Sequence, residues 1–336
     1  MQRNLPMVLI RWIICFLTDR SMSVRIQTQN STPRLVTSGI PQGSILGPLL
    51  FLLYTDDVDQ ILEPSVSMYK FADDMKIYHL YDPKTATSEY KPLQNCLNKL
   101  DSWCTQNHLP LNYNKCCVVH FGRDNKRASY QIGQCVLASR PSERDLGVVI
   151  DERLSFQCQV DSVVNRARRL VALMLHAVRS RSVTVIMPLY KSLIRPLLEY
   201  ACAVWNPHLL KQIKQLESVQ RYVTKRITCL STLPYVERLA ALQLPSLSSR
   251  RDYFDILEMY KILRGATISD VKFTLSDRHS RGHALKLRPD KFKSNVRKSA
   301  LFVRAVNKWN ALPPKVVDAV TVSGFKLRLK QHLHHL

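Results

Sequence analysis

The sequence predicts an α+β fold in its first half that gives way to a mostly helical second half. Three observations predict it: short β-prone runs bracketing two adjacent acids near residue 70, an amphipathic helical stripe just after them, and helical periodicity that dominates beyond Leu154. Strands alternate apolar and polar residues with a period of two, whereas helices repeat them at three and four. The change of period therefore marks a change of architecture, and 336 residues suffice for about two domains of ordinary size.

The elements follow in order. Leu5 to Leu17 is apolar with Arg11 in its middle. It is too short and too charged to span a membrane and lacks the form of a signal peptide, so it predicts a core helix. Met22, Val24 and Ile26 alternate with polar residues and predict a strand. Ser38, Gly39, Pro41 and Gly43 cluster as turn formers ahead of an apolar helix that runs to about Asp57. That run is interrupted by Gly47 and Pro48, so it is not a membrane segment either.

Val66 to Phe71 and Met75 to Tyr78 leave room only for a tight turn, which predicts a hairpin with Asp73 and Asp74 at its tip. Leu93, Leu97, Leu100 and Cys104 give a stripe on a helix from about Thr85 to Gln106. Short strands fit near 116–121, 130–137 and 146–150, and a domain boundary near 151–156. Beyond it Val160, Val163, Ala167, Leu170, Met174 and Val178 share one helical face. Further helices fit 184–203, bent or broken by Pro188 and Pro196, then 208–228, 234–242, 248–264 closed by Gly265, 296–311 stopped by Pro313 and Pro314, and 323–334. Residues 273–295 are basic and weakly patterned and predict a long loop.

Charge points to a polyanionic partner. The net charge of +23 is uneven: residues 1–168 hold 19 Lys and Arg against 16 Asp and Glu, and residues 169–336 hold 30 against 10. Cations in that number neutralise phosphates and release counterions, so nucleic acid leads and the second half should carry the positive surface. Nine cysteines with no CxxC pair exclude a disulfide framework or a zinc knuckle and predict reduced thiols. Cys116 and Cys117, followed by Val118 and Val119, suit a buried strand better than a metal site.

Two adjacent acids between apolar strands, in the string Tyr69-Lys70-Phe71-Ala72-Asp73-Asp74-Met75, can supply hard oxygen ligands to divalent cations. Taken alone, such a pair is also what a plain solvated turn looks like. The segment about 30 residues upstream changes the balance: Ser38-Gly39-Ile40-Pro41-Gln42-Gly43-Ser44-Ile45-Leu46-Gly47-Pro48-Leu49-Leu50-Phe51. There, glycines permit close backbone approach to phosphate and base, and a helix N-terminus favours anions, although a Gly-Pro loop before a core helix describes it too.

The SGIPQGSILGPLLF string followed by FADD resembles the nucleotide- and metal-binding motifs of reverse transcriptases. The likeness extends over nearly the whole chain and favours the non-LTR, LINE-type class. RWIICFLTDR (11–20) is similar to the segment between the first two palm motifs, LPLNYNKCCVVHFG (109–122) to the fourth motif, and RDLGVVID (144–151) to the primer grip. LYKSLIRPLLEYACAVWNP, LESVQRYVTKRI, the RRDYFDILEMYKILRG run and KWNALPP look like the thumb and C-terminal region of these elements. The resemblance implies a partial right-hand polymerase palm, an antiparallel sheet with helices, over 1–152. A helical thumb-like domain over 153–270 and a basic C-terminal region over 271–336 would follow.

It implies RNA-directed DNA polymerase activity by two-metal nucleotidyl transfer, with an RNA template, a DNA primer and deoxynucleoside triphosphates as partners. Asp73 and Asp74 become the catalytic metal ligands for Mg²⁺, and Pro41, Gln42 and Gly43 the template and nucleotide contacts. Lys115 becomes a candidate general acid toward departing pyrophosphate, beside the plainer reading of an exposed lysine after a turn. Arg144, Arg166, Arg169, Lys225 and Arg226 could track a duplex backbone or be solvated charges. The family's palm carries a further aspartate on a strand that should precede Met1, so the metal site is expected to be incomplete and the chain inactive by itself, with neither Asp19 nor Asp56 replacing it. The reduced thiols point to an intracellular location, nucleus or cytoplasm, and nothing in the sequence fixes the oligomeric state. Two other readings stay open. A non-enzymatic nucleic-acid-binding remnant would bind without extending primers, and an RNA-dependent RNA polymerase would prefer ribonucleotides.

Overall fold

The structure, a computed structural model, describes residues 5–82, 90–269, 273–276 and 282–333. They fall into two compact units, residues 1–118 with 123–139, and residues 119–122 with 140–336. The mixed α+β character expected of the first half holds. The single antiparallel palm sheet does not: among the described residues the strands form six separate two-stranded pairs, of which Cys117–Val118 with Ala138–Ser139 is parallel.

In the first unit, the carbonyl of Pro6 starts the helix Met7–Leu17 by accepting from Leu9 and Ile10. The helix lies where the sequence predicts, but it is not a core helix. It buries no residue: Val8 is 80% and Trp12 51% exposed, and Ile10, Ile13, Phe16 and Leu17 are only half-buried. Trp12 and Phe16, one turn apart, stack on each other instead. The alternating stretch after it forms one exposed hairpin in two ladders, Ser21–Met22 with Arg34–Leu35 and Arg25–Ile26 with Gln29–Asn30. The register shifts by one residue between them, and Ser31 fills this bulge by bonding Val24 with both its amide and its hydroxyl.

The helix expected to reach Asp57 ends earlier, at Gly47–Tyr54, and tightens into a 3-10 turn over Asp56–Ile61. The FADD hairpin pairs Val66–Phe71 with Asp74–His79 over six residues. It packs Met68, Met75 and Ile77 onto buried Val58, Ile61, Leu100 and Trp103. Each half-buried side chain contributes on the order of 1 kcal/mol. The helix Tyr90–Gln106 carries the predicted stripe and adds Trp103 to it; its expected beginning near Thr85 lies outside the described residues. A second small cluster gathers Leu97, Tyr130, Ile132 and Leu137. Cys117–Val118 is a half-buried strand, and every described cysteine is a free thiol, as expected. Burial pushes Cys104 up to about 11 and Cys202 up to about 12, so both stay protonated and inert near neutral pH.

The second unit opens with the hairpin Ser142–Asp145 and Val148–Asp151, whose turn residues Leu146 and Gly147 both take positive φ. Two left-handed residues make the tight turn that matches strand twist, and the Tyr200 hydroxyl holds it by donating to the Leu146 carbonyl at 2.9 Å. Asp151 then starts the next helix, Gln157–Ala177. Its buried carboxylate accepts from the amides of Arg153, Ser155 and Phe156 and from the Ser155 hydroxyl, at 2.8–3.2 Å. These donors precede or open the helix and would otherwise lack partners.

That helix buries Val160, Val164, Ala167, Val171 and Met174. The predicted face is thus rotated slightly: Val163 and Leu170 sit on its margin, half-buried, and Val178 caps the end. Pro196 lacks the N–H that would bond the Ser192 carbonyl and crowds it, and the ladder opens into a π turn over Tyr190–Ile194 between Val183–Leu189 and Arg195–Glu199. Cys202–Trp205, Leu210–Lys225, Tyr235–Ala241 and Leu247–Leu263 complete a core around Trp205, Tyr190 and Leu216, with Gly265 closing the last helix at φ +66.

A second core surrounds Trp309, Phe325 and Tyr260. The single helix expected over 296–311 is three short ones, Asn295–Ser299, Leu301–Arg304 and Val306–Asn310, because Ala300 adopts an extended conformation. Val322–His332 follows with Thr321 as its cap. The expected loop at 273–295 carries one bridge, Leu275 to Leu287, among its described residues.

Removing the Asp151 carboxylate strands buried donors. Asp151→Ala should cost about 2–3 kcal/mol in a denaturant titration, whereas Asp151→Asn, which keeps one acceptor oxygen, should cost clearly less. Equal losses for both would remove the capping role.

Candidate functional site

The Gly-Pro loop is built by three glycines used in two ways. Gly39 (φ +77) and Gly43 (φ +80) occupy left-handed backbone that a side chain would strain. Gly47 is instead a close approach: a Cβ there would lie 3.0 Å from Ser44 Oγ and 3.1 Å from the Pro41 carbonyl. Ser44 closes this knot, its hydroxyl donating to the Pro41 carbonyl at 2.7 Å and accepting from the Gly47 amide at 3.0 Å. The loop is also tied backwards. Arg20 donates from Nε to Leu17 (2.7 Å) and from Nη2 to Gly39 (2.6 Å), joining the first helix's end to the loop. Pro41 is half-buried in this knot, and Gln42 and Gly43 form its exposed crest.

The hairpin carries the acids. Pairing of Phe71 with Asp74 leaves Ala72 and Asp73 as a two-residue turn. Ala72 sits at φ +52, which costs a non-glycine residue on the order of 1–2 kcal/mol and is held by the six-pair ladder. Register places Asp74 on the face of Tyr69 and Tyr78, whose rings stack 5.8 Å apart, and places Lys70 on the packed face. Lys70 Nζ reaches the Thr55 carbonyl (3.2 Å) and Asp59 (3.1 Å). This links the hairpin to the segment directly after the Gly47–Tyr54 helix.

The acids nearby divide into two kinds. Asp57 accepts from the Trp103 indole at 3.2 Å and Asp59 pairs with Lys70, so both serve the scaffold. Asp73 and Asp74 are exposed, and neither side chain makes a hydrogen bond or ion pair among the described residues. Lys115 stands apart from them, exposed at the end of the short turn Tyr113–Lys115. That turn is fastened to the Tyr90–Gln106 helix by the Tyr113 hydroxyl, which donates to Asp101 at 2.8 Å and is raised above its ordinary pKa by that bond. The structure thus brings Asp73 and Asp74 together and shows no contact of Lys115 with either.

Hard carboxylate oxygens on one tip fit a divalent cation such as Mg²⁺ in kind. They do not complete a site: among the described residues no group of three or more His, Cys, Asp or Glu could hold a metal. Asp19 and Asp56 lie at the first helix's end and the 3-10 turn and add nothing to the tip. In the second unit, Arg144, Arg166, Arg169, Lys225 and Arg226 are all exposed, and Arg226 lies over the Tyr222 ring at 4.6 Å. A groove of about 610 Å³ there is lined by Arg168, Lys211 and Lys214 against one acid, Asp161. No helix among the described residues is long and apolar enough to cross a membrane.

Sequence reasoning missed Arg20, Lys70 and Gly47 as the residues that position the site. All three stand inside the quoted motif strings; Arg20 reaches Gly39 and Lys70 reaches Thr55 across separations that no local pattern reveals, whereas Gly47 meets Ser44 and Pro41 within its own string.

Residues 3–160 match the family described as reverse transcriptase (RNA-dependent DNA polymerase). Over 237 residues the chain is 28% identical to the probable RNA-directed DNA polymerase from transposon X-element of Drosophila melanogaster, covering 68% of this chain and 26% of that protein. It is 24% identical, with the same shares, to the RNA-directed DNA polymerase from mobile element jockey of that fly. The probable RNA-directed DNA polymerase from its transposon BS is 24% identical over 225 residues, 63% of this chain and 25% of the relative. The chain thus spans about a quarter of the length of these curated relatives. They bear out the class expected from the motifs, reverse transcriptases of non-LTR retrotransposons. No solved structure matches the chain significantly.

Because Asp73 and Asp74 are exposed and unpaired, Asp73→Asn and Asp74→Asn should each change stability by no more than about 0.5 kcal/mol. Gly47→Ala, by contrast, should cost about 1–3 kcal/mol as the knot is forced open. A thermal melt ranking the aspartate variants beside Gly47→Ala would assign the acids a structural role instead.

Proposed function

We propose that the chain works in RNA-directed DNA synthesis, with Asp73 and Asp74 as cation-binding carboxylates. One observation carries this reading: two acids, used nowhere in the scaffold, project from a hairpin whose stem is packed and tied by Lys70. When bound, two Mg²⁺ ions would activate the primer hydroxyl and neutralise the triphosphate. The residues of this chain position and receive. Gln42 and Gly43 present the exposed crest of a knotted loop, with half-buried Pro41 at its base, to template and nucleotide, and Lys115 offers a proton to departing pyrophosphate. The RNA template, the DNA primer and deoxynucleoside triphosphates are the partners, which puts the chain inside the cell, in nucleus or cytoplasm.

In this reading residues 1–152 are palm, 153–270 thumb-like and 271–336 a basic C-terminal region. The cationic groove beside Arg168, Lys211 and Lys214 favours phosphate contacts in the middle segment. It also favours a second reading, a nucleic-acid-binding protein without polymerase activity. Two carboxylates cannot fix two cations against a triphosphate, so a further acid must join Asp73 and Asp74 for synthesis.

Primer extension on an RNA template with Mg²⁺ or Mn²⁺ separates the two readings. The chain by itself should bind primer-template and extend it undetectably. Fused behind a relative's upstream polymerase sequence it should extend it, and Asp73→Asn in the fusion should abolish synthesis with binding retained. A fusion that synthesises equally well with Asn at position 73 sinks the assignment, and a fusion that binds but never extends selects the second reading.

A further inference from the structure

The KWNALPP string, left without a role by the polymerase reading, anchors a basic edge of the second unit. Trp309 is fully buried, donates from Nε1 to the Leu285 carbonyl at 2.7 Å, and has its own carbonyl 3.1 Å from Nε2 of buried His283. Asn310 clamps Leu287 from both sides, accepting from its amide and donating to its carbonyl, each at 2.8 Å. Leu287 is itself buried and bridged to Leu275. The backbone over 283–287 is therefore fixed by core residues, and the residues that follow are held against the surface.

Residues 288–298 are all exposed. Six cations, Lys286, Arg288, Lys291, Lys293, Arg297 and Lys298, stand within 286–298 against one acid, Asp290, which Arg297 already pairs at 3.0 Å. In their midst Phe292 is 47% exposed, with Lys298 Nζ 5.9 Å from its ring centroid. Clustered cations repel one another and an exposed ring wastes apolar surface, so the arrangement is unfavourable twice without a partner. A partner that relieves both carries closely spaced negative charge and flat apolar faces. Duplex nucleic acid offers the phosphates but keeps its bases stacked inside. An anionic lipid surface is matched by a long amphipathic helix, and the helix here, Asn295–Ser299, spans five residues.

We propose that residues 286–298 form a docking surface for single-stranded nucleic acid, with Lys291, Lys293 and Lys298 on phosphates and Phe292 stacked on a base. The proposal goes beyond the polymerase reading and does not depend on Asp73 or Asp74, so failure of primer extension leaves it standing. Fluorescence anisotropy of the full chain with oligomers of about 8 nucleotides, within one site size, tests it. Oligo(U), oligo(dT) and a short duplex serve as probes.

Phe292→Ala should weaken both single strands about 5- to 150-fold, the equivalent of one lost stack, and the duplex less than about twofold. Lys291→Gln with Lys293→Gln should flatten the slope of log affinity against log salt by about 1.4 for single strands. Both changes are at exposed positions and should leave the melting temperature unaltered. Unchanged single-strand affinity in Phe292→Ala, an equal loss on duplex, or an unaltered salt slope would each overturn the proposal. So would a preference beyond about tenfold between oligo(U) and oligo(dT), since stacking and phosphate contact are common to both.

Discussion

A hairpin tip that stands open to solvent must still be held in place, and the packing of the first unit meets that constraint. The hairpin resolves it by dividing its two faces. Met68, Met75 and Ile77 bury one face, Tyr69 and Asp74 occupy the other, and Asp73 stands in the turn. The three apolar side chains together contribute on the order of 3 kcal/mol, against about 1 kcal/mol for the part-exposed Lys70–Asp59 pair. Packing therefore holds the hairpin. Lys70 chooses what it is held beside, the turn after the Gly47–Tyr54 helix, and that helix begins in the knot of Pro41, Ser44 and Gly47.

The second unit uses charge differently. Arg250 forms a two-pronged pair with Glu199, and Arg304 grips Asp255 with Nε and Nη2 while also bonding the carbonyls of Ser299 and Ala203. Asn206 donates to Asp255 and accepts from buried Arg251, so the Trp-Asn-Pro string and the Arg-Arg-Asp string meet in one polar network between two apolar cores. Breaking one member of such a network strands the others in a low dielectric. Burial already lowers the Arg251 pKa from its ordinary value.

Periodicity made the hairpin, the Tyr90–Gln106 helix and most helices of the second half legible, because burial on one face writes a repeat of two or of three and four into the chain. It failed where neighbours decide. Apolar residues at 7–17 read as a core helix, yet none of them is buried. Ala300 is a good helix former and still breaks 296–311 into short turns. The acids Asp73 and Asp74 were visible from the motif strings, but their freedom from the scaffold became visible only when Asp57 and Asp59 proved to be engaged by Trp103 and Lys70. Asp151 was quoted within a motif, and its role as a buried cap depends on a left-handed Phe156 that no pattern announces.

The proposed function places cations at the Ala72–Asp74 tip and not at the neighbouring acids of the 3-10 turn. Titrating Mn²⁺ into isotopically labelled protein and following paramagnetic broadening of backbone amides measures this directly. Broadening should centre on Ala72, Asp73 and Asp74 and disappear in the Asp73→Asn, Asp74→Asn double variant. Broadening that centres on Asp56 to Asp59, or that survives in the double variant, would contradict it.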